Sequence, residues 1–192
     1  MNARVLSLNV AAASAVEIKG RRVLTAIGKR PVAGAHAVHA TGIAGDEQAD
    51  LAVHGGISKA VYAYPSEHYP FWQTVRAQAR VAPWDERLPP GALGENLTIA
   101  GVLETQVWIG DVLRFADCEL AVSEPRFPCF KFNAAMGFAH AAKLMVQSAW
   151  CGWYLAVREG GTIAAGEAFE VVAGPREVGI AELFRARTGK AA

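Results

Sequence analysis

Apolar residues along the 192-residue chain fall into short runs rather than long helical stripes. Residues 5–10, 23–27, 35–38, 60–64, 106–109, 112–115, 118–123, 153–157 and 168–172 read as strands. They are rich in β-branched and aromatic residues and bounded by Gly, Asp and Pro. Gly110-Asp111 suits a two-residue hairpin turn and Ala116-Asp117 the next, which predicts a three-strand meander over 106–123. Three stretches carry helical spacing instead. Ser66 can cap a helix running to about residue 80, with Trp72, Val75 and Ala79 on one face. A second spans about 136–148, with Phe138, Ala142 and Met145 aligned, and a short third covers 178–186. Residues 84–91 are Pro-rich and acidic and read as a loop. Many strands with few helices predict a mainly β fold, a barrel-like domain with helical inserts.

Composition narrows the function classes. Apolar residues make up 52% and charged residues 19%, with 19 Lys plus Arg against 18 Asp plus Glu, for a net charge of +1. Disorder needs the opposite balance. A general binder of nucleic-acid polymers carries a basic surplus, and none exists here. A domain of this size buries roughly 70% of its unfolded surface, so neither disulfides nor a structural metal are needed. The three cysteines, 118, 129 and 151, form no CxxC pair and point to a reducing, cytoplasmic setting. Residues 4–13 place an arginine ahead of apolar and small residues, but Ser7 and Asn9 interrupt the run, so a first strand is the better reading than a signal peptide. No apolar run approaches the ~18 residues of a membrane span.

Three segments carry candidate chemistry. In Glu124-Pro125-Arg126-Phe127-Pro128-Cys129-Phe130-Lys131-Phe132-Asn133, two prolines stiffen the chain around a thiol, and two cations flank it. Neighbouring cations favour a thiolate, a nucleophile and a ligand for soft metals. The competing reading is a small hydrophobe packed between phenylalanines. Cys118 has acidic neighbours and Cys151 aromatic ones, so both read as packing residues. The second segment runs from Gly45-Asp46-Glu47 to His54-Gly55-Gly56 and Lys59. Paired glycines let backbone approach an anion that a lysine can neutralise, although a surface hairpin explains them equally. The third, Gly94-Glu95-Asn96-Leu97, can offer polar groups to a pocket or cap its own backbone. His36 and His39 have an odd spacing, which on a strand sends them to opposite faces and argues against a shared metal. His68 and His140 read as ordinary helix residues. Walker, GxGxxG, GxSxG and HExxH motifs are absent.

Taken in order, Thr41-Gly42-Ile43, Gly45 to Asp50, His54-Gly55-Gly56, Lys59-Ala60, Tyr64 to Trp72, Gly94-Glu95-Asn96-Leu97, Ile109-Gly110-Asp111 and Pro125 to Lys131 resemble the MOSC domain family over residues 1–175. The likeness runs to its small stand-alone bacterial members, the YiiM-like proteins. The resemblance implies a MOSC-type β-barrel over 1–175, followed by a short C-terminal helix and tail over 176–192. It implies that Cys129 ligates the molybdenum of a pyranopterin cofactor. His54, Gly55, Gly56, Lys59, Arg126 and Lys131 would then receive the cofactor's phosphate, and Glu95, Asn96 and Asn133 its pterin edges. The implied activity is reduction of N-hydroxylated compounds, including hydroxylaminopurine-like bases, with electrons from a separate protein; protons must also arrive, and His54 and Asp46 are the candidate donors. The alternative is a carrier of the cofactor or of cysteine-bound sulfur. A homodimer is compatible with either.

Overall fold

A computed structural model describes residues 3–49 and 55–189. The strands are β1 (Arg4–Val10), β2 (Ser14–Ile18), β3 (Arg21–Thr25), β4 (Arg30–Pro31), β5 (Ala35–His39), β6 (Gly42–Ile43), β7 (Val61–Pro65), β8 (Leu97–Ala100), β9 (Val112–Arg114), β10 (Glu119–Pro125), β11 (Trp153–Glu159), β12 (Gly161–Ala164) and β13 (Glu170–Val172). The helices are α1 (Tyr69–Gln78), α2 (Phe130–Met136), α3 (Ala141–Ser148) and α4 (Ile180–Thr188).

Among the described residues the main sheet has the order β13-β9-β10-β11-β7-β8-β1-β4. It is antiparallel except between β7 and β8, which α1 separates in sequence, as a parallel crossover requires. β7 lies deep in this sheet, and all five of its residues are buried, which explains its uninterrupted apolar sequence. The sheet curls on itself. The Val5 amide donates to the Glu167 carbonyl, and the Phe169 amide donates to the Ala3 carbonyl. Segment 166–169, which leads into β13, thereby meets β1 from the far end of the sheet. A mainly β, barrel-like architecture is the result, although these contacts do not form a continuous closed ladder. Strands β5, β6 and β12 make a small second sheet, and β2 and β3 form a hairpin of their own.

Two expectations need correction. Residues 106–109 are not a strand. Gln106 closes a 3₁₀ turn over Glu104–Gln106, and Trp108 makes only an isolated bridge to Gly179. The free edge of β9 is taken by β13, so the meander shrinks to the β9–β10 hairpin. The helix expected over 136–148 is two helices. Gly137 adopts φ 80° and ends α2 at Met136, and α3 begins at Ala141. α2 starts at Phe130, inside the proline-stiffened segment around Cys129.

A buried polar knot supports the sheet beneath its aromatic face. His68 Nε2 meets Glu104 Oε2 at 2.8 Å, and the imidazole stacks on Trp150 at 4.5 Å. Glu104 Oε1 accepts the Gly152 amide at 2.8 Å. The turn so held accepts the Tyr62 hydroxyl at the Cys151 carbonyl and the Tyr64 hydroxyl at the Trp150 carbonyl. Gly152 has φ 60°, and a Cβ there would lie 2.4 Å from the Ala63 carbonyl oxygen, so only glycine fits. His68 is thus an anchor of the core rather than an ordinary helix residue.

Candidate functional site

Strand β10 delivers the chain to the site. After Pro125, Arg126 to Pro128 cross the sheet end, and Cys129 stands extended at the start of α2 (φ −127°, ψ 177°). Behind this crossing, Phe127 stacks on Phe184 of α4, with ring centroids 5.5 Å apart and planes at 14°. Phe184 is fully buried. The stiffness inferred from the two prolines is therefore reinforced by packing from the C-terminal helix.

Cys129 opens onto a cleft of about 630 Å³, solvent mouth included. Arg126, Lys131, Lys59 and Asn96 line the same cleft. So do Lys29, Asp46, Gln48, Thr25, Tyr62 and Tyr154, which sequence reasoning left aside or read differently. Tyr62 and Tyr154 are direct cross-strand partners on β7 and β11, with rings 5.4 Å apart, and only the strand pairing brings them together.

Arg126 is the most unusual of these side chains. It is 4% exposed, yet no ion pair among the described residues engages it. Its guanidinium lies 4.8 Å from the Phe132 ring and 5.7 Å from the Tyr62 ring, and Nη1 sits 3.6 Å from Met145 Sδ. Aromatic faces and a sulfur do not neutralise a buried cation, so the cleft beside it is electrostatically prepared for an anion. Burial pushes the Tyr154 phenol up to about 12, while Arg126 pulls it in the other direction. Tyr154 therefore keeps its proton at neutral pH and can donate a hydrogen bond. Lys59 pairs with Glu124 at 3.7 Å and lies 5.9 Å from the Tyr154 ring.

A second stretch of the lining is built from spent polar groups. Asp46 Oδ1 accepts the Ala11 amide at 2.9 Å and also Lys29 Nζ, and Oδ2 accepts Asn96 Nδ2 at 2.8 Å. Burial lowers the Lys29 pKa, and Asp46 opposes that shift. Asn96 Oδ1 accepts the Tyr62 amide, and Nδ2 also donates to the Asn9 carbonyl. Asn96 thus lines the cleft as a strut rather than as a free pterin partner. Asp46, with both oxygens occupied by donors, is poorly suited to deliver a proton.

Other expected site residues lie elsewhere. Glu95 is fully buried and does not line the cleft. It accepts the Gly91 amide at 2.7 Å, the Leu93 amide at 3.1 Å, the Thr98 hydroxyl at 2.7 Å and the Tyr69 hydroxyl. It organises the 91–98 turn from within. Asn133 caps α3, its Oδ1 accepting the Ala142 amide at 2.8 Å, and is likewise not part of the lining. Gly55 and Gly56 are near neighbours of Lys59 but do not line the cleft, and the Gly56 amide donates to Gln48 Oε1 at 2.7 Å. His54 lies outside the described residues.

The remaining thiols are set apart from this chemistry. Burial, aided by Asp117 and other carboxylates, pushes Cys118 up to about 12. Burial and Glu104 push Cys151 well above its ordinary value. Cys129 is the half-buried one of the three. His36 and His39 lie on β5 as expected, and among the described residues no cluster of three metal-ligating side chains occurs. No helix among them is long and apolar enough to cross a membrane.

Comparisons with known proteins agree with this architecture. The MOSC domain family model matches residues 50–170. The uncharacterized protein YflK of Bacillus subtilis is 39% identical over 168 residues, covering 88% of this chain and 72% of YflK. A protein of Gibberella moniliformis described as a reductase is 35% identical over 157 residues, covering 81% of this chain but only 27% of that much longer protein. The crystal structure of YiiM from Geobacillus stearothermophilus superposes with a TM-score of 0.77 at 29% identity, covering 97% of this chain and 84% of YiiM. The chain belongs to the MOSC domain family.

Proposed function

We propose that this chain binds a molybdenum–pyranopterin cofactor through Cys129 and reduces N-hydroxylated compounds, hydroxylaminopurine-like bases among them, to amines. The observation that carries this reading is the pairing of a reachable thiol, Cys129, with a buried arginine that no carboxylate among the described residues neutralises, on one wall of one cleft. A thiolate is a soft ligand that suits a sulfur-rich molybdenum shell. Arg126, Lys131 and Lys59 offer cations to the cofactor's phosphate. When bound, the cofactor supplies a two-electron redox centre. The reaction breaks the N–O bond, takes up two electrons and two protons, and releases an amine and water. The protein's part is to hold Cys129 on a stiff segment, to present the Tyr154 hydroxyl, and to keep the anionic cofactor against buried cations. The electrons come from a separate protein. The barrel over 1–175 carries the chemistry, with α4 of the 176–192 segment as its buttress.

The test is a Cys129→Ala exchange in protein made where the cofactor is available. Metal analysis should show molybdenum falling at least tenfold, and turnover of 6-hydroxylaminopurine with a chemical reductant should fall to background. Full metal content and turnover in the variant would overturn the proposal. Metal in the parent without any turnover would establish a carrier instead.

A further inference from the structure

The β2–β3 hairpin projects from the fold as an arm. Its residues from Ser14 to Leu24 are exposed or only half-buried, and its strands pair only with each other. Such a ribbon gains little stability alone, so its retention calls for a role. Its root is fixed to the functional cleft. Thr25, the last residue of β3, lines the cleft together with Ala26, Ile27 and Lys29. The Ala13 amide at the other root donates to Glu47 Oε2 at 2.7 Å, and Glu47 also lines the cleft.

The arm's surface has a distinct character. Lys19, Arg21 and Arg22 are exposed, against one acid, Glu17. Glu17 faces Arg22 in the strand register, yet no ion pair among the described residues engages any of these cations. A local surplus of this kind stands out in a chain whose net charge is +1. Exposed apolar side chains accompany it. Leu24 is 52% exposed beside cleft residue Thr25, Phe130 is 54% exposed beside cleft residue Cys129, and Ile57 is 65% exposed two residues before cleft residue Lys59. Large apolar side chains at a mouth with unpaired cations nearby are the signature of a protein-docking surface.

We propose that this arm and the adjoining mouth dock an acidic one-electron carrier protein that feeds the cleft. The inference rests on the reductase reading above. Positive charge without partners fits a carrier with a negative face, and steering by such charges speeds encounter without demanding a large, permanent interface. Two reduced carriers would deliver one electron each for every N–O bond broken.

The test compares the parent with an Arg21→Glu, Arg22→Glu double variant, both as full-length, cofactor-loaded protein with matched thermal melts. Reduced flavodoxin serves as the acidic probe and reduced methyl viologen as a small reductant that needs no docking. Flavodoxin-driven kcat/KM at low salt should fall at least tenfold in the variant, while viologen-driven turnover stays unchanged. Flavodoxin binding, measured without turnover, should weaken in the same proportion, and its salt dependence should flatten. Equal binding and equal flavodoxin-driven turnover would overturn the proposal. So would a parent that binds an oligonucleotide or anionic vesicles through these arginines but not flavodoxin. If viologen drives no turnover even in the parent, the reductase reading fails, and the binding measurement still decides the arm.

Discussion

The two walls of the cleft treat their polar groups in opposite ways. On the wall of Lys29, Asp46 and Asn96, every carboxylate oxygen and every side-chain amide group has a partner inside the protein. On the wall of Arg126 and Cys129, a buried guanidinium faces the cleft with aromatic rings and a sulfur for company. Satisfied polar groups stabilise and shape, because burial without a partner would cost several kcal/mol. An unsatisfied buried charge persists where a ligand completes it. The contrast separates scaffold from binding group without reference to residue type, and it demotes Asn96 and Asp46 while promoting Arg126.

The sharpest way to break this comparison is Arg126→Met. The substitution keeps apolar volume next to Phe132 and Tyr62, and it strands no carboxylate among the described residues. Removal of an uncompensated buried cation is neutral or stabilising. The melting temperature should hold or rise, while cofactor content, read as molybdenum per chain, falls by at least about 100-fold, which corresponds to about 2.7 kcal/mol of lost binding. A drop in melting temperature with cofactor retained would reverse the assignment of the two walls.

Asp46→Ala probes the other wall. It leaves the buried Lys29 ammonium without its carboxylate and frees the Ala11 amide and the Asn96 amide group. Breaking one side of a buried pair costs about 3–5 kcal/mol. Urea unfolding should show that loss, and any decline in turnover should follow the folded fraction. A stable variant lacking only activity would make Asp46 a chemical participant after all.

The same contrast explains what could be seen in the sequence. The Cys129 segment was legible because its signals are local: two prolines, two cations and a thiol within a few residues. Strands such as β7 and β11 were legible from their apolar runs. Lys29, Tyr62 and Tyr154 were not recognised as site residues, because remote strands bring them to the cleft. Glu95 and Asn133 were assigned to the cofactor by residue type, but type does not give direction, and both side chains are occupied by neighbouring backbone amides. Residues 106–109 form a short apolar run like a strand, yet the edge they needed on β9 was already filled by β13. Ser66 was expected to begin a helix. It begins a single 3₁₀ turn before α1 because Pro70, at the start of α1, lacks an amide hydrogen and suits a first helical turn.

The smallest predicted effect concerns how the Cys129 wall is held. Phe184 of α4 stacks on Phe127, which lies between Arg126 and Pro128, so α4 fixes the thiol from behind. Phe184→Leu preserves an apolar side chain and should cost only about 1 kcal/mol, within the range for conservative core exchanges. The loss of the flat stacking surface should nevertheless loosen the 126–129 crossing. Iodoacetamide labelling at pH 8, followed by mass spectrometry of each thiol, reads this directly. Cys129 should label severalfold faster in the variant than in the parent. Cys118 provides the internal control, because a thiol pushed up to about 12 is only about one part in ten thousand thiolate at that pH. Faster labelling at Cys118 as well would indicate general loosening, whereas acceleration confined to Cys129 assigns α4 the task of positioning the one thiol that faces the cleft.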